Sequence, residues 1–453
     1  MWIIENQIQC PMSNVQCPKS NVQSIMFKLK KELDFFSGQS LGMRTLLLTN
    51  LIYGAVQPVV ELFIGAYIMR NSSDISLVVI FQLAVYTGIP ATFLINGFLL
   101  NRFPIARMYS LGMLLSSVSM FVMMSLNNLD TTGIFFAGLI MGLSYGFFWS
   151  NRDYLALNTT NDNNRNYYYG LETFFYTMTG IIVPLAAGAF IGATDKNGWF
   201  GGHVNTAYHI ITVCVFLLSL FASVLVHRGN FQNPKKAPFV FFKYDPLWYK
   251  MLGLAALKGV AQGYIVTAPT MLIMRLVGKE GELGLIQSVA ALLSAILLYI
   301  LGRIAAPKHR LLIYTVGVSL FVLGALFNAL LFSALGTILF VLCLTFFRPL
   351  LDIAYFPIQL KVIDIVAAKE KRNEFSYIFN HELGLYVGRL LGCGLFIVLA
   401  RSVSEYAALR YALLVIAVVH FMGVFMMKNI VNQLPVADVE PLEKINLKNL
   451  ETE

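Results

Sequence analysis

Twelve long apolar segments run along this chain of 453 residues, and the hydrophilic gaps between them are short. A helix of about 20 apolar residues spans the hydrocarbon core of a bilayer. A segment that crosses lipid must satisfy its own backbone hydrogen bonds, which favours helices over isolated strands. The composition fits such a chain, since 57% of the residues are hydrophobic and only 13% are charged. The sequence therefore predicts an all-α integral membrane protein with twelve transmembrane helices.

The longest internal gap, from about His227 to Tyr249, divides the segments into two sets of six. The first set is Arg44–Met69, Ser76–Leu100, Met108–Leu126, Thr131–Ser150, Tyr169–Gly192 and Thr206–Val226. The second set is Trp248–Leu276, Gly284–Gly302, Leu311–Leu331, Leu335–Pro357, Phe375–Ala400 and Glu405–Met427. We therefore expect a disordered leader over residues 1–43, a six-helix bundle over 44–227, a linker over 228–247, a second six-helix bundle over 248–428, and a tail over 429–453.

Basic residues collect in alternate gaps, and this asymmetry predicts the orientation of the chain. One side of the membrane receives only Arg70, Lys196, Arg275, Lys279 and Arg401. Because Lys and Arg concentrate in cytoplasmic loops, both termini and the linker are expected in the cytoplasm. The net charge of +9 is scattered over short loops, so it does not indicate a nucleic-acid partner. The short loops are typical of a multi-pass protein of a bacterial cytoplasmic membrane.

Two short motifs recur in the two sets of segments, which indicates an internal duplication. They are Pro104–Arg107 with Pro307–Arg310, 203 positions apart, and Arg165-Asn166 with Arg372-Asn373, 207 positions apart. Each recurrence occupies the equivalent gap of its set, after the second or the fourth segment. The sequence therefore predicts two bundles related by a parallel repeat.

With this architecture the chain resembles the major facilitator superfamily (MFS) over roughly residues 44–428. The family's motif between helices 2 and 3, Gly-x-Leu-x-Asp-Arg-x-Gly-Arg-Arg, is matched loosely by Gly97, Leu99, Arg102 and Arg107. Asn101 and Pro104 depart from it, standing where the family has Asp and its second Gly. The resemblance implies a 6+6 fold in which the short basic loops gate access, and it gives that gating role to Arg102, Arg107, Arg303 and Arg310. The departure at Asn101 means that the family's own gating carboxylate is not carried over.

The resemblance also implies that segments 1, 4, 7 and 10 line a central cavity, and polar side chains fall largely on these segments and on segment 11. An ionisable group inside the bilayer is costly and tends to face a cavity or a partner. The residues that we expect to bind a substrate are Arg348, Lys258, Gln262, Trp149 and Tyr355. Those expected to carry a proton or to form charge pairs are Glu61, Asp352, Glu382 and Arg389.

Several of these charges also have a structural interpretation. Asp352 follows Arg348 by four residues and Arg389 follows Glu382 by seven, so each pair shares one helix face and can form an ion pair. Lys258 can extend its ammonium group toward the cytoplasm instead of binding a solute. Glu61 has no partner on its own helix, which leaves proton coupling or pairing across the two halves.

The chain lacks the motifs of an enzyme. It has no Gly-x-x-x-x-Gly-Lys-Ser/Thr phosphate loop, no metal-ligand spacing and no nucleophile set, so we expect neither a cofactor nor a metal. The predicted function is secondary active transport of a small polar solute, anionic or zwitterionic, by alternating access and with proton coupling. A flippase for lipids or lipid-linked substrates, with a cavity polar in one half only, is the alternative; a sensor or a channel fits less well. The expected partners are the small-molecule substrate and membrane lipid, and the expected state is a monomer.

Overall fold

A computed structural model describes residues 34–160, 164–233, 240–304 and 307–434. In these ranges the chain is helical and has no β-strand. The helices are α1 (Leu41–Gly54), α2 (Gln57–Asn71), α3 (Ser76–Leu99), α4 (Ile105–Ser125), α5 (Thr131–Thr159), α6 (Arg165–Asn197), α7 (Val204–Val226), α8 (Pro246–Ile265), α9 (Ala268–Leu276), α10 (Glu280–Ile304), α11 (Arg310–Leu331), α12 (Ala334–Glu370), α13 (Glu374–Ser402) and α14 (Glu405–Val431). They include twelve spans long and apolar enough to cross a membrane, which confirms the predicted fold class. Residues 1–33 of the leader, 234–239 of the linker and 435–453 of the tail lie outside the described ranges.

Two of the spans are broken near their middle, which the sequence analysis did not anticipate. α1 and α2 together form the first span, and α8 and α9 form the seventh. Pro58 lies in the first turn of α2 and Pro269 in the first turn of α9. A proline has no N–H for the carbonyl four residues earlier and its ring clashes with that carbonyl. The helices therefore stop before each proline and start again around it.

Several helices extend beyond the predicted apolar segments. α5 continues to Thr159, α6 begins at Arg165, and α12 continues to Glu370. Hydrophobicity ends at the membrane boundary, but backbone hydrogen bonding continues into the polar region. At the other end of α5 the start is well defined, because the Asp130 carboxylate accepts hydrogen bonds from the N–H groups of Thr132 and Gly133.

Each set of six spans forms a bundle, as the predicted fold class requires. In the first bundle α3 packs against α5, and α4 packs against α5 and α7. In the second bundle α8 packs against α13, and α11 packs against α12 and α14. Glycines allow the closest of these approaches: a Cβ atom at Gly142 would collide with the carbonyl of Val85, and one at Gly388 would collide with that of Ala256. Small residues of this kind permit tight helix packing in lipid.

The two bundles meet on one side of the membrane. Twelve spans place both chain ends on the same side, called here the terminal side, and the opposite side is called the far side. Between the bundles, α2 contacts α9, α3 contacts α13 and α6 contacts α10. In the described part of the chain, hydrogen bonds and ion pairs between the bundles lie from mid-membrane to the far side. Arg348 and Asp352 are exposed although they lie at mid-length of α12, so the interior opens toward the terminal side.

Candidate substrate-binding site

Two adjoining cavities lie between the bundles, with volumes of about 410 and 260 Å³. They share Glu61, Trp149 and Arg348. The larger cavity is bounded chiefly by α1, α2, α6, α10 and α12, and the smaller by α2, α3, α5, α8 and α13. Small-molecule sites are typically cavities of a few hundred Å³ with a small number of convergent polar groups. The geometry therefore places a candidate site at the centre of the protein, with walls from both bundles.

Arg348 reaches this site from α12 and is anchored there by the break in the seventh span. Its Nη2 donates to the carbonyl of Ile265 over 3.1 Å. Pro269, four residues after Ile265, has no N–H to give that carbonyl, so the arginine takes the place of the missing helical donor. Among the described residues, Arg348 has no carboxylate within ion-pair distance. A guanidinium group has five N–H donors, and most of those of Arg348 are available to a ligand.

Glu61 supplies the negative charge of the site. It lies in α2, one turn after Gln57, and lines both cavities. Its side chain is exposed although it lies inside the first span, because it faces the open interior. Within the described ranges no Lys or Arg forms an ion pair with it. The nearby Nε2 of Gln57 is buried and finds no hydrogen-bond partner among the residues described.

Arg389 also lines the smaller cavity, but its charge is already compensated. Its Nε and Nη2 donate to Oε1 of Gln262 over 3.1 and 2.9 Å. Its Nη1 lies 3.2 Å from Glu382, so the ion pair predicted from their spacing is present. The guanidinium carbon lies 4.7 Å from the ring centre of Tyr86. Gln262 and Arg389 therefore form a fixed wall of the site.

Asp352 pairs with Lys258, over 3.3 Å, and not with Arg348 four residues earlier. The Lys258 ammonium is buried rather than extended to the surface, and lies 4.2 and 4.1 Å from the ring centres of Tyr355 and Phe356. The Tyr355 hydroxyl is 2.7 Å from Nε2 of His381. Neither Lys258 nor Tyr355 lines the two cavities. The substrate-binding role predicted for them therefore has no cavity contact in this conformation, in which they lie beside the site toward the terminal side.

Trp149 forms part of the wall contributed by the first bundle. Its ring makes an edge contact with Phe148 at 5.1 Å, and the Arg152 guanidinium lies 5.6 Å from its centre. Arg152 is itself held by Glu172, a buried carboxylate that also accepts a hydrogen bond from Asn50 over 2.5 Å. The indole is thus oriented by a network inside the first bundle and lines both cavities, and its role in substrate binding stays a prediction.

The loop arginines predicted to gate access lie on the terminal side. Arg102 and Arg107 are exposed, and neither forms an ion pair with another described residue. Arg310 begins α11 and is partly exposed. The backbone of Arg303 lies in the last turn of α10, but its side chain lies outside the described part of the structure. These residues stand at the open side of the interior, so their gating role remains a prediction for the opposite conformation.

The interaction that closes the far side was missed by sequence reasoning. Glu280 is fully buried. Its carboxylate accepts hydrogen bonds from Nε and Nη2 of Arg70, over 2.5 and 2.6 Å, and from the hydroxyl of Tyr208, over 2.7 Å. Two further ion pairs bridge the bundles, Asp195–Lys279 at 2.6 Å and Asp74–Arg401 at 3.3 Å. These charges look like ordinary loop residues in the sequence, because nothing local shows that they meet across the two halves.

Four cavity glutamines reveal the internal repeat more directly than the loop motifs. Gln57 and Gln262 are 205 positions apart, and so are Gln82 and Gln287. All four line the two cavities. Only Gln262 was selected from the sequence, yet a comparison of the two halves at this spacing would have identified the others. A carboxamide both donates and accepts hydrogen bonds, so the site offers neutral polar contacts on both sides.

Two helical bundles around a polar cavity that is open to one side of the membrane define a transporter, not an enzyme. No group of three His, Cys, Asp or Glu side chains with the spacing of a metal site occurs among the described residues.

Comparison with known proteins gives the family. Residues 45–392 match the model of the Major Facilitator Superfamily, and the chain belongs to that family. The uncharacterized protein YqgE of Bacillus subtilis is 21% identical over 408 residues, covering 89% of this chain and 93% of that protein. An uncharacterized protein encoded in the sodM 3' region of Geobacillus stearothermophilus is 26% identical over 160 residues, covering 35% of this chain and 75% of that protein. The crystal structure of the nucleoside transporter NupG superposes with a TM-score of 0.61 at 12% identity, covering 86% of this chain and 99% of that one. This last likeness is one of fold.

Proposed function

We propose that this secondary transporter moves a small polar solute by alternating access, and that Arg348 binds an anionic group of the solute. The observation that carries the proposal is a guanidinium group, in a cavity between the bundles, that has no carboxylate partner among the described residues. A guanidinium group pairs with a carboxylate through two parallel hydrogen bonds. In alternating access the bundles rock about a central site, and the far-side contacts of Arg70 and Glu280 would break in the opposite state.

Proton coupling is the second part of the proposal. Three carboxylates are candidates, and their surroundings differ. Asp352 and Glu382 each have a basic partner, Lys258 and Arg389 respectively, whereas Glu61 has none within the described residues. A paired carboxylate can exchange its partner for a proton as the bundles move, which gives Asp352 and Glu382 a route to coupling. Asp352 is the more accessible of the two, with a half-exposed side chain.

The test is uptake by the full chain reconstituted in proteoliposomes, with labelled polar metabolites and an imposed pH gradient. We expect at least one polar solute to accumulate. Arg348→Gln should lower kcat/KM about tenfold or more, because a hydrogen bond to a charged group contributes about 1.5–3 kcal/mol. Arg228→Gln, an exposed position outside the cavities, serves as the control. Equal uptake by the two variants would show that Arg348 does not bind the solute. Uptake that does not depend on the pH gradient would rule out proton coupling.

A lipid flippase has some support from the position of the larger cavity. α6 and α10 bound that cavity, and in an apolar 18-residue stretch of each of their spans only 22% and 17% of the residues are buried. The flippase hypothesis, however, requires a cavity that is polar in one half only. Here Glu61 and Gln82 come from the first bundle and Gln287 and Arg348 from the second, which favours a soluble polar solute. Transfer of a fluorescent phospholipid without uptake of any soluble compound would favour the flippase.

We further propose that the terminal side is the cytoplasmic side of a bacterial cell membrane and that the monomer is the transporting unit. The distribution of Lys and Arg supports the orientation. In the conformation described, the site would then be open to the cytoplasm.

A further inference from the structure

Glu61 and Arg348 are opposite charges that line the same two cavities without forming an ion pair with each other. Their separation exceeds ion-pair distance, and both side chains face the open interior at mid-membrane. An ionisable group at this depth is costly and usually faces a water-filled cavity or a partner. The other basic groups near the site are compensated, Arg389 by Glu382 and Lys258 by Asp352. Among the described residues that line the two cavities, Arg348 and Glu61 are therefore the two charges that lie outside an ion pair.

This charge balance constrains the solute, given the transport function proposed above. A plain anion would pair with Arg348 but would bring a second negative charge close to Glu61. A plain cation would pair with Glu61 and be repelled by Arg348. A molecule with both charges compensates both side chains at once. We propose that the solute is a small zwitterion, with its carboxylate on Arg348 and its ammonium group on Glu61.

The surroundings of the two charges fit this assignment. Trp149 and Tyr145 line the smaller cavity with Glu61, and Trp149 and Tyr176 line the larger one. Aromatic faces attract ammonium groups. The hydroxyl groups of Tyr145 and Tyr176 are buried and have no hydrogen-bond partner in the part of the chain that the structure describes. Arg348 keeps free N–H donors because a single hydrogen bond, to the carbonyl of Ile265, anchors it.

The competing assignment has a protonated Glu61 and an anionic solute. The two assignments differ in what Glu61→Gln does, because glutamine is a neutral mimic of the protonated acid. If Glu61 carries a proton, Glu61→Gln binds the solute as well as the native protein does. If Glu61 holds an ammonium group, Glu61→Gln binds the zwitterion more weakly and loses discrimination against its N-acylated analogue.

The experiment is a thermal-shift and equilibrium-binding screen of the purified full chain with matched sets of three compounds. Each set consists of an α-, β- or γ-amino acid, its N-acetyl derivative, which keeps only the carboxylate, and its primary amide, which keeps only the ammonium group. We expect at least one amino acid to bind tenfold or more tightly than both of its analogues. Glu61→Gln should abolish the preference for the amino acid over its N-acetyl derivative. Arg348→Gln should abolish the preference for the amino acid over its primary amide.

Controls guard against loss of structure. Asp364→Asn and Arg228→Gln remove exposed charges outside the cavities and should keep both preferences, while Glu61→Asp should keep the preference over the N-acetyl compound in part. If an N-acetyl compound binds as tightly as its parent amino acid, the zwitterion proposal is wrong and the proposed transport of an anionic solute still stands. Binding of neutral polar solutes only would overturn the zwitterion proposal too. Failure of every soluble compound to bind, together with no uptake in proteoliposomes, would overturn the proposed function itself.

Discussion

At the scale of single residues, the placement of Arg348 depends on a proline in another helix. Pro269 cannot donate to the carbonyl of Ile265, and Arg348 uses that free acceptor at 3.1 Å. The same logic recurs in α12, where Pro349 frees the carbonyl of Thr345 and the hydroxyl of Ser294 donates to it over 3.0 Å. Prolines in the spans thus leave carbonyl groups free to accept hydrogen bonds that fix polar side chains at the cavity.

Pro269→Ala tests this dependence. Alanine restores an N–H at position 269, which competes with Arg348 for the carbonyl of Ile265. We expect the guanidinium group to lose its anchor and the solute Kd to rise about tenfold, as for a hydrogen bond to a charged group worth roughly 1.5 kcal/mol. Isothermal titration with the transported solute gives the Kd. Pro357→Ala, a proline in α12 outside both cavities, is the matched control, and an equal change in both variants would disprove the anchoring role.

At the scale of helices, the contact between α6 and α10 is the tightest backbone approach between the bundles that involves glycine on both sides. A Cβ atom at Gly188 would lie 2.6 Å from the carbonyl oxygen of Glu280 and 2.9 Å from Cα of Gly284. Lower on α6, a Cβ atom at Gly170 would meet nothing within 4 Å. The close contact of α6 with α10 around Gly188 and Gly284 therefore lies in the far-side half of both helices.

We expect Gly188→Ala to destabilise this conformation by about 1–3 kcal/mol, the usual cost of overpacking. The Tm of the purified protein should fall by several degrees. Gly170→Ala on the same helix should leave the Tm unchanged or raise it slightly, because alanine favours helix and has free space here. A comparable fall in both variants would show that helix propensity, and not the close contact, controls the stability.

The ion pairs between the bundles give a second prediction for these elements. Lys279→Asp puts a carboxylate opposite Asp195, so the far side should open more often. For a partly exposed pair worth about 1 kcal/mol, the opening should increase roughly fivefold. The frequency of opening is measured in a Cys214→Ser background that also carries Ser294→Cys. A membrane-impermeant maleimide is added from the far side, and the rate at which it labels the cysteine at position 294 is recorded.

Two controls isolate the pair. Adding Asp195→Asn to Lys279→Asp removes the repulsion, while the amide oxygen can still accept from Arg70, which lies 3.4 Å from Asp195; the labelling rate should return toward that of the parent. Lys196→Asp changes an exposed charge beside Asp195 and should have little effect. No recovery in the double variant would mean that the Asp195–Lys279 contact does not hold the bundles together.

At the scale of the whole molecule, the sequence predicted the elements better than the site. The twelve spans follow from apolar length, and the ion pair of Glu382 with Arg389 follows from spacing on one helix. The partner of Asp352 could not be found this way, because Lys258 lies on a different helix. The same reason hid the contact of Arg70 with Glu280. The periodicity of a segment shows which residues share one face of a helix. The Lys258–Asp352 and Arg70–Glu280 pairs depend instead on how separate spans pack against each other.

The orientation of the molecule is a prediction that the fold leaves open. Because the N-terminal segment, the loops and the tail on the terminal side together hold most of the 33 Lys and Arg residues, we expect this side to be cytoplasmic. In a bacterial host, green fluorescent protein fused after Glu453 should fluoresce, and alkaline phosphatase fused there should be inactive. A fusion after Ser73, in the first far-side loop, should give the opposite pattern. The opposite result for both fusions would mean that the cavity is open to the outside of the cell and not to the cytoplasm.

The far-side ion pairs also bear on how the protein is made. Positions 74 and 279 are 205 residues apart, and positions 195 and 401 are 206 apart, so the two pairs are equivalent in the repeat. The first half carries aspartate at both of its positions, and the second half carries Lys279 and Arg401. Two copies of the first half would face each other with acid against acid. During synthesis on a polysome, a newly inserted first half is therefore discouraged from joining its neighbour and stays available for the second half of its own chain.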